Sequence, residues 1–329
     1  MSALLGPFLI VTFCLSQALR DTYFGHLFQG VDFFAVILVA FTLSTLVFGA
    51  ISAIRTPGQF TALRHQIPIV LAMNATTALA WSCYFFALTH LEPSIVNTVH
   101  SGMGPLTVIA LAACGTRLVK PGVIGRDERW SYGGITLSII ALWWVVLSGR
   151  SGLIARDGST NLIALLLLTV SGSSITISLL YSKRLHDHGV SAEAVTAVRY
   201  LLLIVLAGCV EAYRGPMAGI GDLGHSLGDL ATLSATSAVL IVLPLFALQV
   251  GIARTAPLTA HVIRSLGPVC VFAMEQVDGR LTYSTPTLIC ILAYSAAAIA
   301  SNLTHGWRDA RRDGVFDRPR IAAAQQKAD

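Results

Sequence analysis

The stretch "TAHVIRSLGPVCVF", residues 259–272, sets His261 and Arg264 three positions apart in a run otherwise apolar enough for lipid. Three positions on a helix is one face, so both side chains point the same way. An arginine at the centre of a membrane helix costs about 2.5–3.5 kcal/mol even on a lenient insertion scale, so it is kept for a task. Binding an anion is the task its chemistry suits, since a guanidinium pairs a carboxylate with two parallel hydrogen bonds. Glu275 and Glu211 are the acids that could instead pair with it structurally. Asn97 and His100 repeat the three-residue spacing in another apolar run. Laying Pro93 on Pro257 puts Asn97 on His261 and His100 on Arg264.

Two further faces carry polar groups. Asn74, Thr77, Trp81 and Tyr84 are spaced 0, 3, 7 and 10, as are Ser171, Ser174, Ser178 and Tyr181. Trp81 and Tyr84 could wall a site or simply pack, and small hydroxyl residues line cavities or let membrane helices approach closely. His100, His261 and Glu275 are the groups that could carry a proton. Arg199 stands near Glu193 and is read as a gate or structural residue, with Pro105 and Pro268 as bending points.

Other patterns carry no chemistry. "GIGDLG" (219–224) has no strand before it and so is no dinucleotide loop. "HDH" (186–188) lacks a full ligand set, so no metal and no cofactor is expected. The six cysteines have no C-x-x-C spacing and read as buried thiols.

The elements that must position these residues are membrane helices. Of 329 residues 54% are hydrophobic and 12% charged, whereas a soluble domain carries about 25% charged residues. The expected fold is all-α, with ten spans at 3–19, 33–54, 67–89, 93–114, 130–149, 160–182, 194–213, 232–253, 257–276 and 284–304. Cytoplasmic termini put fifteen lysines and arginines inside and five outside (Arg20, Arg150, Arg156, Arg214 and Arg280), as the positive-inside rule favours. The net charge of +5 follows from these loops and the tail and points to no nucleic acid.

The chain also repeats itself. Residues 31–55 lie on 190–214 without a gap, sharing Val31/Val190, Ala35/Ala194, Gly49/Gly208 and Arg55/Arg214 among others. Residues 104–118 match 267–281 at the Gly-Pro and the closing Arg-Leu, at nearly the same offset. Five spans per repeat make the second copy enter the membrane inverted, an arrangement typical of secondary transporters. The expected divisions are 1–150, 151–304 and a basic cytoplasmic tail at 305–329.

The 5 + 5 pattern, "CYFFALTHLEPSIVNTVHSGMGPLTVIAL" (83–111) and "ALQVGIARTAPLTAHVIRSLGPVCVFAM" (247–274) resemble the EamA-type branch of the drug/metabolite transporter superfamily. Arg199 in "AVRYLLL" matches an arginine common in that family's seventh helix, while Ala40 and "DGRL" (278–281) depart from its pattern. The resemblance covers about residues 4–304 and implies export of amino acids or related metabolites by a multi-pass protein of the bacterial inner membrane. The expected partners are a small anionic or zwitterionic metabolite, the bilayer and protons, with a homodimer left open. The expected substrate contacts are Arg264, His261, His100, Asn97, Trp81, Tyr84, Asn74 and Ser174.

Three alternatives stay open: an anion or sugar-phosphate exchanger of the same superfamily, a membrane-embedded lipid-modifying enzyme, and a non-transporting scaffold. An enzyme would lose product formation when Ser173 or His261 is changed. A scaffold would tolerate Arg264→Gln.

Overall fold

The computed structural model describes residues 2–27, 33–116, 118–119, 126–153, 157–214, 232, 234–244, 247–248, 251, 255 and 257–312. Within these, residues 2–3, 26–27, 126–128, 257–258, 261 and 305–312 are described for backbone alone. The described residues are helical throughout, apart from turns and short connections, with no strand among them.

In chain order the helices are α1 (Ser2–Leu27), α2 (Phe33–Arg55), the short α3 (Gln59–Arg64), α4 (Ile67–His90), α5 (Pro93–Ala113), α6 (Arg126–Leu147) and α7 (Gly158–Asp187). They continue as α8 (Ala192–Arg199), α9 (Leu201–Arg214), a π-helical turn at Ala238–Val242, α10 (Pro257–Ser265), α11 (Gly267–Asp278) and α12 (Thr285–Arg312). Among the described residues, eight stretches are long and apolar enough to cross a membrane: α1, α2, α4, α5, α6, α7, α8 with α9, and α12. The expected span at 257–276 is two helices, broken at Leu266 where Gly267-Pro268 opens α11. A proline at the first helical positions lacks the N–H that the preceding turn would need, so it starts a helix more readily than it continues one. The expected span at 232–253 falls partly outside the described residues. Pro105 leaves α5 continuous, so of the two expected bending points only Pro268 adjoins a break.

The expected end of the first span at residue 19 is corrected. Helix α1 runs on to Leu27, and Arg20, read above as an outer-loop residue, is buried with Asp21 inside it. An ion pair adjacent along the chain neutralises itself, so the helix can continue through it into Thr22, Tyr23 and Phe24.

Helix α4 packs along α7, joined by hydroxyls. Thr77 Oγ1 and Ser178 Oγ are 2.5 Å apart, and Ser171 Oγ donates to the Ala80 carbonyl at 2.7 Å. Helix α5 also lies on α7, α6 on α12, and α1 on α10, α11 and α5. Helix α2 packs on α8, α9 and the π-turn. Glycine lets two of these pairs close up: a Cβ at Gly172 would sit 2.6 Å from the His100 carbonyl oxygen, and one at Gly102 would sit 2.9 Å from Ile139. Helix α11 stops at Gly279, whose φ of +69° turns the chain back so that its N–H bonds the Glu275 carbonyl.

Candidate functional site

A buried charged cluster forms where α1, α4 and α5 meet. Arg20 donates from Nε at 2.9 Å and from Nη2 at 2.7 Å to Asp21 Oδ1. Asn97 Nδ2 donates to the other oxygen, Asp21 Oδ2, at 3.0 Å. Arg20 is 7%, Asp21 0% and Asn97 2% exposed, so both charges are out of water and depend on each other. The Arg20 guanidinium lies 5.5 Å from the centroid of the Trp81 ring, a cation–π distance.

Helix α4 supplies the aromatic wall. Trp81 packs on Phe41, Phe85 and Tyr84 at centroid distances of 5.1, 5.3 and 5.7 Å. The Tyr84 hydroxyl lies within electrostatic reach of Arg20 and Asp21 without a hydrogen bond of normal geometry, and the indole N–H of Trp81 has no partner. These are buried polar groups with unused capacity beside an ion pair. His100 stands edge-on to Tyr84 at 4.8 Å, its Nδ1 is 3.1 Å from Ser171 Oγ, and its electrostatic reach extends to Arg20.

The structure thus brings together Asn97, Trp81, Tyr84 and His100 around a pair the sequence reading had left in a loop. The cluster lies in the half of the bundle nearest the α4–α5 turn. Asn97 is four residues into α5, Arg20 is five residues from the end of the α1 span at Gly25, and Trp81 is nine from the end of α4. At 1.5 Å per residue, that is about 6–14 Å inside the end of the bundle formed by the α4–α5 turn.

The other expected residues lie elsewhere. Arg264 is on the last turn of α10, exposed, within electrostatic reach of Cys14 on α1 and Tyr294 on α12. The ion pairs found among the described residues are Arg20–Asp21 and Arg280–Asp278, so Arg264 takes neither Glu275 nor Glu211 as a partner. The side chain of His261 lies outside the described residues. Ser174 is buried on α7.

Asn74 serves the backbone. The helix break at Tyr200 frees a carbonyl and an N–H; Asn74 Nδ2 donates to the Val198 carbonyl at 2.8 Å and Oδ1 accepts from the Leu202 N–H at 3.1 Å. A third bond, from Nδ2 to the Val70 carbonyl at 3.0 Å, engages the amide fully with backbone groups. Arg199, just before the break, reaches Thr77 Oγ1 at 3.3 Å and Ser178 Oγ at 3.2 Å, tying α8 to the α4–α7 pair.

Two buried glutamates lie between the cluster and the bundle end. Glu275 Oε1 accepts the Ser94 N–H at 2.7 Å. Glu92, in the α4–α5 turn, accepts the Gly152 N–H, and burial pushes its carboxyl up to about 7, partly offset by the nearby Thr287 hydroxyl and Leu153 backbone. Gly152 is held so close that a methyl there would run into the Thr282 carbonyl and Glu92.

No family model matches the sequence, and no curated protein matches it. Nine solved chains match in structure. One, described only as a crystal structure of a protein, is similar over 92% of this chain and 96% of its own, with 17% identity and a TM-score of 0.59. At that identity the likeness establishes a shared arrangement of helices and nothing about activity.

Proposed function

We propose that the chain is a secondary-active transporter, working as an exporter, of a small carboxylate-bearing metabolite such as an amino acid. The observation that carries this reading is the Arg20–Asp21 pair, buried in an apolar bundle beneath Trp81 and bonded to Asn97. Ionisable residues inside membrane proteins cost free energy and mark substrate or ion paths. One cation and one anion side by side suit a zwitterion: Arg20 meets its carboxylate, Asp21 its ammonium, and Trp81 offers the apolar part a face. A sugar-phosphate exchanger would need several cations at the site, whereas Arg20 already carries its own carboxylate.

The packing supports the inverted-repeat organisation of 1–150 and 151–304. Exchanging each helix of the first half for its counterpart in the second maps the α5–α7 contact onto the contacts of α1 with α10 and α11. It maps the α6–α12 pair onto itself, as it does α2 with α8 and α9. The breaks at Tyr200 and Leu266 fit a reading in which α8, α9, α10 and α11 move as half-helices, as discontinuous helices do in transporters. Ten spans, cytoplasmic termini and an inner-membrane location complete this reading.

The test is a thermal-shift series of purified protein with matched anionic, zwitterionic, neutral and cationic metabolites. A ligand at about 100 times its Kd stabilises the folded state by about 2.7 kcal/mol. Zwitterions are expected to raise the melting point of the wild type and of Arg264→Gln, and to leave Arg20→Gln unmoved. A shift that survives in Arg20→Gln and vanishes in Arg264→Gln would return the site to the middle of the 257–276 stretch.

A further inference from the structure

The proposed substrate site leaves the two buried glutamates unused. Glu92 is 3% and Glu275 2% exposed, and they come from elements far apart in the chain, the α4–α5 turn and the last turn of α11. Each lies within electrostatic reach of the other, and Glu275 also within reach of Asp21. From α1 the facing charges are Arg20 and Asp21, already bonded to each other. From α5 come Ser94, by its backbone N–H, and Asn97, spent on Asp21.

The α6–α7 connection brings the Gly152 N–H, while the Arg150 guanidinium turns away to lie 4.8 Å over Trp144. From the α11–α12 connection, Arg280 is half-exposed and pairs with Asp278 at 3.4 Å. Three buried carboxyls therefore meet one buried guanidinium among the described residues. Two polar atoms beside them are buried without a partner: Glu92 Oε2 and the hydroxyl oxygen of the fully buried Ser94. A buried carboxyl oxygen that no protein group donates to favours the neutral, protonated form of the group.

The glutamates also sit in the seam that closes this end of the bundle. Gly152, held by Glu92, accepts at its carbonyl from the Thr282 N–H at 3.1 Å and the Thr282 hydroxyl at 2.9 Å. Ser284 Oγ donates to the Arg150 carbonyl at 2.8 Å. These bonds join the α6–α7 connection to the start of α12, and the Glu275–Ser94 bond joins α11 to α5.

We propose that Glu92 and Glu275 form a proton-binding site that holds a proton while this end of the bundle is closed and releases it when the end opens. On opening, the seam parts and water reaches the pair. The carboxyl O–H bond then breaks, the proton passes to water, and the carboxylate is left hydrated. Its consequence for transport rests on the transporter reading, whereas the proton site itself does not.

The sign follows from Glu92, whose carboxyl is held above its ordinary value. Its contribution to the closed state is fully present below the ordinary carboxyl value of 4.5 and is lost as pH rises through about 7.

The test uses the full chain in lipid nanodiscs and infrared difference spectra across a jump from about pH 5 to about pH 9, where a protonated carboxyl loses its carbonyl stretch. Wild type is expected to lose a band that E92Q and E275Q each diminish, while E211Q, at a separate buried glutamate, leaves their part intact. Amino-acid flux in proteoliposomes is expected to fall about tenfold per pH unit above the midpoint in wild type and to become flat in E92Q. Absence of the band from wild type overturns the proposal, whatever the variants do. A band unchanged in both E92Q and E275Q overturns it as well, as does a measurable wild-type flux whose pH profile E92Q leaves unchanged. A band that behaves as expected in a protein that moves no amino acid keeps the proton site and removes the transporter reading.

Discussion

Asp21→Asn is expected to abolish transport and to lower stability by about 3–5 kcal/mol, the usual cost of breaking one side of a buried ion pair. The geometry makes asparagine a poor substitute despite its shape. Oδ1 of Asp21 accepts twice from Arg20 and Oδ2 accepts from the Asn97 amide, so both positions need an acceptor. An asparagine NH2 would have to face the guanidinium, donor against donor, or force the Asn97 amide to turn over and accept from it. It would also leave the Arg20 charge buried without its counter-ion. The double variant Arg20→Met/Asp21→Asn removes that stranded charge, and much of the lost melting temperature should return, because apolar replacement of a buried pair is often close to neutral. Transport should not return with it. A double variant that transports like the wild type would make the pair structural.

Gly172→Val is the second large effect. The Cβ alone would lie 2.6 Å from the His100 carbonyl and 2.7 Å from Met103 Cβ, and the first of these is backbone that cannot swing aside. Helices α5 and α7 must separate, taking with them the His100–Ser171 contact at 3.1 Å. Overpacking of this kind costs about 1–3 kcal/mol where side chains can give, and more where backbone is struck. The expected result is a large fall in melting temperature in detergent, with Gly172→Ala intermediate. Gly49→Ala is the matched control: nothing lies within 4 Å of a Cβ there, so its melting point should hold or rise slightly. Equal losses at both positions would contradict the close α5–α7 approach.

Much of the helix plan was legible because lipid demands long apolar runs, and eight of the expected stretches reappear as helices of sufficient length. The Leu266 break was written in Gly267-Pro268. The break at Tyr200 was not: no glycine or proline marks "AVRYLLL", and its freed backbone groups are satisfied by Asn74 from another helix. Three-residue and seven-residue spacings picked out Asn97, His100, Trp81 and Tyr84, since a shared helical face survives in any packing. Arg20 and Asp21 were missed for a physical reason. Charges that end an apolar run look like the start of a loop, and only the packed bundle reveals that they neutralise each other inside it.

By chain position the sequence sets Asn97 against His261 and His100 against Arg264. Under the proposed inversion, equal positions would fall at mirrored depths and coincide only at the midplane. Asn97 is near one end of its helix, where its amide bonds Asp21 on α1 and lies beside Gly267 of α11.

The proposed function has zwitterions crossing unchanged through a site built on Arg20 and Asp21. Counterflow in proteoliposomes tests it most directly: vesicles loaded with an unlabelled amino acid are diluted into a trace of the labelled one. Transient accumulation of intact labelled amino acid is expected with wild-type protein and none with Asp21→Asn reconstituted at equal density. Accumulation that is identical in the two, or that none of the zwitterions tested supports, would contradict it.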